Sequence, residues 1–432
     1  MKEATQTKLT LWARDSFIRR SIRNLRTGWR IPLAHLKRKL VTPEIIVGIT
    51  GSVGKSTTTR ILVEIIGRQH VVHTTKGINT PKGIKNRFWQ NSKRPQAWVQ
   101  EISGHSQVDI EKSLDFVEPK IGIVTKIGLD HVSELRSLEA IKENKEKLIN
   151  CLPKDGCAIL NLDDDLVAQM ATNAPSNVIT FGKAPDADVR LAGVGYDASN
   201  HMELTVEIDG KKHVFSTQFV GSRWCASLLG AIAAAHHLDI DMATIKDAVS
   251  SVGPELYKDS VHRANGVTYV LDCYKSAAWT VPSSCEIVEK MNAKRKFLLI
   301  GTLSDYKGSA RKAYSEAVRS AMEVADFVVT YGYHARRARR IFDNYPGRIL
   351  AFERFADLQA HLNVTLVDGD LIYIKAGDID HLARLWHAHE KPLACYVDDC
   401  RRQFACNTCK HLHGYEKGLW RRFIGKLAQT KS

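Results

Sequence analysis

Gly48-Ile49-Thr50-Gly51-Ser52-Val53-Gly54-Lys55-Ser56-Thr57-Thr58 closes a short β-branched run, residues 44–49, and opens an apolar-periodic stretch, residues 57–66. Strand, glycine-rich turn and helix in that order form the setting of a phosphate-binding loop. Glycines let backbone N–H groups face phosphate oxygens, and the helix N-terminus adds partial positive charge. In this reading Gly51, Ser52, Gly54 and Thr57 form the cradle, Lys55 reaches the terminal phosphates and the Ser56 hydroxyl ligates Mg²⁺. The first glycine stands one position away from the strict G-x4-G-K-[ST] spacing. A turn that merely joins strand to helix is the competing reading, and Gly54-Lys55-Ser56 followed by three threonines argues against it.

Outward from this loop the pattern alternates between strand and helix. Strands are expected at 97–102, 121–125 and 158–161, with helices at 57–66 and 138–151. Such alternation predicts a parallel sheet covered on both faces. Residues 189–219 break the rhythm and read as an antiparallel insertion turning at Asp209-Gly210. Helical patterns return at 223–237 and 242–252. A second α/β unit begins near Val267, with strands at 267–272, 296–301, 327–330, 349–351 and 371–375. The fold class is therefore α/β: a central phosphate-loop parallel-sheet domain (44–256), a C-terminal Rossmann-like α/β domain (257–392), and basic extensions at 1–43 and 393–432.

The charge is unevenly distributed. The 432 residues hold 62 basic and 47 acidic side chains, a net +15. Residues 1–40 contain 11 basic and 2 acidic residues, and residues 393–432 contain 8 and 3, so the main body is almost neutral. Any anionic surface is expected to be met through the ends. Leu11, Ile18, Ile22, Leu25 and Trp29, interleaved with arginines, predict a basic amphipathic helix over 9–29. It either packs on the main body or lies on anionic lipid or nucleic acid; a mitochondrial presequence has a similar composition. A second basic cluster follows at Lys37-Arg38-Lys39. The hydrophobic share of 44% and charged share of 25% exclude disorder as the main state. No apolar run approaches the ~18–20 residues that span a bilayer, and no secretory signal pattern is present. Nine cysteines, an odd number, favour a reducing compartment over a disulfide framework. The expected location is the cytoplasm, with peripheral membrane attachment as a variant.

The displaced glycine spacing resembles the T-G-[TS]-x-G-K-[ST]-[ST]-T loop of the Mur ligase family. Residues 101–110 resemble that family's E-L-G-x-x-x-x-G-E-I segment, and residues 123–131 its I-T-N-I-G-x-D-H strand end. Residues 137–145 are similar to S-x-E-x-I-A-x-x-K, and 156–164 to G-x-x-V-L-N-x-D-D. Residues 270–278 resemble the I-D-D-S-Y-N-A-N-P element of the branch that adds D-alanyl-D-alanine. The resemblance covers roughly residues 44–380.

It implies an ATP- and Mg²⁺-dependent ligase in which a substrate carboxylate is phosphorylated and an amine then attacks the acyl phosphate. Carried over residue by residue, it implies that Ser56 and Glu101 hold the Mg²⁺ that bridges the nucleotide phosphates, and that His131 helps hold a second metal. Lys145 matches a lysine that some members carbamylate, turning a cation into an anionic metal ligand. An exposed helix face would produce the same pattern around Lys145. Glu101, at the end of a buried strand, calls for a cation.

Departures are also visible. About 43 residues precede the first strand, too few for the family's UDP-sugar domain, so a different carboxylate donor is expected. G-x-H-N-x-x-N becomes Gly221-Ser-Arg223-Trp224-Cys-Ala-Ser227; Arg223 or Trp224 would stack on adenine or pack in the core. Lys258 falls near a nucleotide-contacting arginine of the family. Asp272 and Tyr274 survive from the D-x-Y element, while Lys275, Ala277, Ala278 and Thr302 replace the amine-side residues. The acceptor is then a different amino acid, peptide or polymer amine, or ligase activity is lost and an ATP-binding regulatory or nucleic-acid-associated protein remains.

Cys395-x4-Cys400-x5-Cys406-x2-Cys409, followed by His411 and His413, would enclose a structural Zn²⁺; unpaired thiols in a basic tail are the alternative. The surrounding lysines, arginines and aromatic residues suit nucleic acid, an anionic membrane or a partner protein.

Overall fold

The computed structural model describes residues 29–103, 107–128, 137–400, 402 and 406–414. The amphipathic helix expected over 9–29, the basic residues after 414 and His131 lie outside the described residues, apart from Trp29. Contacts divide the chain into two units. The first takes the chain through Gly195, Glu203–Gln218 and Trp224–Val252; the second takes Tyr196–Met202, Phe219–Arg223 and everything from Gly253 onward.

The first unit is built on a nine-stranded sheet. Its strands are β1 (Ile45–Thr50), β2 (Val72–His73), β3 (Ala97–Glu101), β4 (Ile121–Val124), β5 (Cys157–Asn161), β6 (Asn177–Gly182), β7 (Val189–Tyr196), β8 (Met202–Ile208) and β9 (Lys211–Ser216). Their order is β2-β3-β1-β4-β5-β6-β7-β8-β9. Pairing is parallel from β2 to β7 and antiparallel between β8 and β9. Strands β3, β4 and β5 are buried at every position, as strands covered on both faces must be. Asp209 and Gly210 both take positive φ (50° and 71°), the conformation that a two-residue hairpin turn requires.

The helix Arg30–Leu40 packs against the helix Pro81–Gln90. Pro32 sits in its first turn, where the missing N–H costs nothing. Two residues of the basic cluster at its end, Lys37 and Arg38, are used within the fold, while Lys39 is exposed. Lys37 donates to the carbonyls of Phe88 (3.1 Å), Trp89 (3.2 Å) and Asn91, at the C-terminus of that neighbouring helix. Arg38, nearly buried, donates to the carbonyls of Phe116 and Val117 and to Glu118. Cations at helix C-termini satisfy the last carbonyls and the helix dipole.

The second unit holds a six-stranded sheet of β10 (Lys258–Ala264), β11 (Val267–Asp272), β12 (Arg295–Ile300), β13 (Phe327–Tyr331), β14 (Ile349–Phe352) and β15 (Asp370–Lys375). The order is β10-β11-β15-β12-β13-β14, all parallel except the edge strand β10. The helices Val281–Lys290 and Ala310–Val324 pack with one apolar cluster. The helices Phe355–Thr365 and Arg384–Glu390 pack with another. Strands β2, β6 and β10 have no counterpart in the sequence reading; β10 and β2 are edge strands, whose weak burial leaves a weak pattern.

The described part of the cysteine tail packs within this second unit. Asp398 accepts from the Phe355 N–H at 2.6 Å, the Asn407 N–H donates to the Tyr257 hydroxyl, and Ala394 N–H donates to the Leu412 carbonyl. Among the described residues, no helix is long and apolar enough to cross a membrane.

Candidate active site

In the first unit, β1 ends at Thr50 and the helix Lys55–Gly67 starts four residues later. The turn between them depends on two glycines. Gly51 has φ +142° and Gly54 φ +92°, both in the region that favours glycine. A Cβ on Gly51 would stand 2.1 Å from Thr125 Oγ1, and one on Gly54 2.7 Å from Ser227 Oγ. Thr125 Oγ1 donates to the Val53 carbonyl at 2.6 Å, Ser52 N–H donates to the Lys126 carbonyl, and the Ser52 hydroxyl exchanges hydrogen bonds with the Gly128 backbone. Ser227, in the first turn of the helix Cys225–His237, donates to the Gly54 carbonyl. The loop is therefore held by the strand end after β4 on one side and by a helix start on the other.

Lys55 folds back over its own loop and donates to the carbonyls of Gly51 (2.7 Å) and Ser52 (3.2 Å). Ser56 Oγ donates to Glu101 Oε2 at 2.7 Å, and Asn79 Nδ2 donates to Glu101 Oε1 at 3.1 Å. Glu101 is the last residue of β3, paired with Ile49 of β1, and is 6% exposed. A buried carboxylate beside a hydroxyl and an amide, with a lysine on the same loop, is a donor set suited to a hard divalent cation. Thr57 is half-buried in the first helical turn.

Lys145 lies on the helix Leu138–Asn150 and is buried (3% exposed), which overturns the exposed-face alternative. Its neighbour Asn144 is also buried, with neither amide atom hydrogen-bonded. The stretch 156–164 acts as a buttress: Asn161 donates to the Thr125 carbonyl at 2.6 Å, and Asp164 accepts from Ile127 N–H at 2.9 Å. Asn79, Asn161, Asp164 and Ser227 received no role in the sequence reading. Asn161, Asp164 and Ser227 showed only as short polar residues inside the matched segments, and Asn79 lies outside them.

In the second unit, Asp272 at the end of β11 pairs in register with Lys375 at the end of β15. Lys375 Nζ lies 2.7 Å from Asp272 Oδ2, and both side chains are buried. Arg223 adds ion pairs to Asp272 (3.3 Å) and Asp259, and the Tyr373 hydroxyl donates to Asp259 Oδ1 at 2.6 Å. The two carboxylates keep the Arg223 guanidinium charged despite burial, and burial beside them pushes the Tyr373 hydroxyl well up. Arg223 is thus committed to two carboxylates of the second unit. Asp272 is likewise the centre of a buried ion network. Lys375, which the sequence reading passed over, ends an otherwise apolar strand.

Lys258 pairs with Glu255 and lies over the exposed ring of Tyr274 at 4.7 Å. Trp224 is half-buried at the start of the helix Cys225–His237, in the first unit. Thr302 donates through N–H and Oγ1 to Asp380 at 2.7 and 2.6 Å. The four tail cysteines line one small cavity of the second unit.

The Mur ligase middle domain matches residues 49–235, the segment that carries the phosphate loop, Glu101 and Lys145. The chain is similar to the Mur ligase family. The UDP-N-acetylmuramoyl-tripeptide–D-alanyl-D-alanine ligase of Bacillus subtilis is 25% identical over 343 residues, 77% of this chain and 72% of that one. The UDP-N-acetylmuramate–L-alanine ligase of Caldicellulosiruptor saccharolyticus is 23% identical over 79% of this chain and 75% of its own. Among solved structures, a MurF of Acinetobacter baumannii superposes with a TM-score of 0.75 at 19% identity, covering 84% of this chain and 81% of that one. MurF ligase of Thermotoga maritima in complex with ADP gives 0.70 at 19% identity, over 85% and 84%. Both of these sequence relatives are ligases by name.

Proposed function

We propose that this Mur-type ligase joins a carboxylate donor to an amine acceptor through an acyl phosphate, using ATP and Mg²⁺, at the phosphate loop of its first unit. The observation that carries the reading is the Ser56–Glu101 pair at the mouth of the loop, with Asn79 on the second carboxylate oxygen. In the carboxylate–hydroxyl–lysine set of Glu101, Ser56 and Lys55, the first two would hold Mg²⁺, which would neutralise phosphate charge as the phosphoryl group moves. Lys55 would leave its resting carbonyls for the phosphates. Gly51, Ser52, Gly54 and Thr57 supply the cradle. His131, and Lys145 in a carbamylated form, are assigned to a second metal near the acyl group.

The donor carboxylate gives one oxygen to the departing phosphate, and the amine loses a proton as the C–N bond forms. The acceptor differs from D-alanyl-D-alanine, because Lys275, Ala277, Ala278 and Thr302 replace the residues that branch carries. Lys258 and Tyr274, adjacent and exposed in the second unit, remain candidates for nucleotide contact. The regulatory alternative gains no support from the two relatives described above, both named as ligases.

The test is acceptor-dependent release of ADP by the full chain, with Lys55→Ala as the control. Equal ADP release with and without every acceptor amine, or turnover unchanged in the variant, would refute the reading.

A further inference from the structure

Cys395, Cys400, Cys406 and Cys409 line a cavity of about 20 Å³ together with His381, Arg384, Arg402 and Leu412. That is room for about one water-sized occupant. All four cysteines are free of disulfides. The backbone gathers them. Ala394 N–H donates to the Leu412 carbonyl at 2.8 Å, which lays the chain before Cys395 beside the chain after Cys409. Cys409 N–H donates to the Cys406 carbonyl and Leu412 N–H to the Cys409 carbonyl, so the C-x2-C pair forms a tight knuckle.

Two polar side chains of the cavity wall are already committed. His381, held at φ +52°, places Nδ1 3.3 Å from Cys406 Sγ and Nε2 3.0 Å from the Cys400 carbonyl. Arg384 is 1% exposed; its guanidinium donates to the Cys395 carbonyl at 3.1 Å and lies 3.9 Å from Cys395 Sγ. Its Nη2 has no hydrogen-bond partner. A buried cation with an unused donor beside four thiols calls for negative charge, and four neutral S–H groups supply almost none.

We propose that Cys395, Cys400, Cys406 and Cys409 bind one zinc ion as a structural tetrathiolate centre. Thiolate sets select soft or borderline metals, and a closed set of four with C-x2-C spacing is a structural zinc arrangement. On binding, four S–H bonds break, four Zn–S bonds form and four protons leave to solvent, with no change of oxidation state. The product carries a net charge of −2, which Arg384 and Arg402 offset from outside the ligand set. Among the described residues no group of three or more His, Cys, Asp or Glu is already placed to hold a metal ion, so the proposal requires the four thiols to turn inward about the cavity on binding. The gain is positional. His381 adjoins Asp380, whose carboxylate holds Thr302 after β12, so the ion pins the tail to the ends of β12 and β15.

Metal analysis of the full-length chain, purified under reductant and without chelator, is expected to give one zinc per chain. Cys406→Ser and Cys409→Ser should each lose it, while Cys151→Ser, outside the cluster, should keep it. Replacement by cobalt should produce thiolate-to-cobalt charge-transfer absorption. The wild-type metal content stands as evidence even if a variant does not fold. A metal-free wild-type chain whose four thiols react freely, a Cys406–Cys409 disulfide in the folded protein, or iron with inorganic sulfide in place of zinc would overturn the proposal.

Discussion

Ser56 and Glu101 are 45 positions apart in sequence, yet their side chains meet at 2.7 Å because β3 lies beside β1 in parallel register. One residue opens the helix after the loop and the other ends the neighbouring strand. On the proposed metal role, removing either should remove a metal contact while leaving the fold in place. Ser56→Ala and Glu101→Gln are expected to lower turnover by about 10²–10³-fold, with circular dichroism unchanged. Excess Mg²⁺ should partly rescue Ser56→Ala, which retains the carboxylate.

Gly51→Ala tests the loop itself. Its new methyl group would meet Thr125 Oγ1 at 2.1 Å and the Lys126 backbone at 3.2 Å, in a φ region strained for any side chain. We expect a stability loss of about 1–3 kcal/mol and a loss of nucleotide affinity out of proportion to it. Calorimetric titration with ATP beside a thermal melt separates the two.

The ion network of the second unit makes a different prediction. Lys375→Met leaves Asp272 and Asp259 buried with Arg223 as their remaining cation. Breaking one side of a buried pair costs about 3–5 kcal/mol. The thermal transition of the second unit should fall while that of the first holds. A Lys375→Met protein as stable as wild type would show that Arg223 alone suffices.

His73 reports on acid stability. Burial among Phe88 and Trp98, with Lys37 nearby, lowers its pKa from 6.5 to about 4. The unfolded chain therefore binds a proton that the folded chain refuses. This contribution is intact above about pH 6.5 and is lost as pH falls toward 4. Between about pH 7 and about pH 4.5 the loss is about 2 kcal/mol. His73→Phe should remove that part of the pH dependence in denaturant titrations; an unchanged dependence would assign it to other groups.

The parallel cores were legible because their strands are short apolar runs between glycine turns and amphipathic helices, and Val267–Asp272 was read to the residue. The phosphate loop was legible because its chemistry requires residue types in a fixed order. The ion network was not: Asp259, Asp272, Tyr373 and Lys375 come from strands distant in sequence, and only strand order makes them neighbours. The pairing of Asn79 with Glu101 was hidden for the same reason. Lys145 looked like a surface lysine because its flanking charges mimic an exposed helix face, whereas the fold buries it. The chain's assignment of Tyr196–Met202 and Phe219–Arg223 to the second unit also left no mark in composition.

The most direct test of the ligase assignment is mass spectrometry of a metabolite extract incubated with the full chain, ATP and Mg²⁺, alongside Glu101→Gln. The account predicts a new species whose mass equals a depleted carboxylate plus a depleted amine minus water, formed with ADP and absent with the variant. A condensation product formed equally by Glu101→Gln, or ATP cleavage with no dependence on any amine, would contradict it.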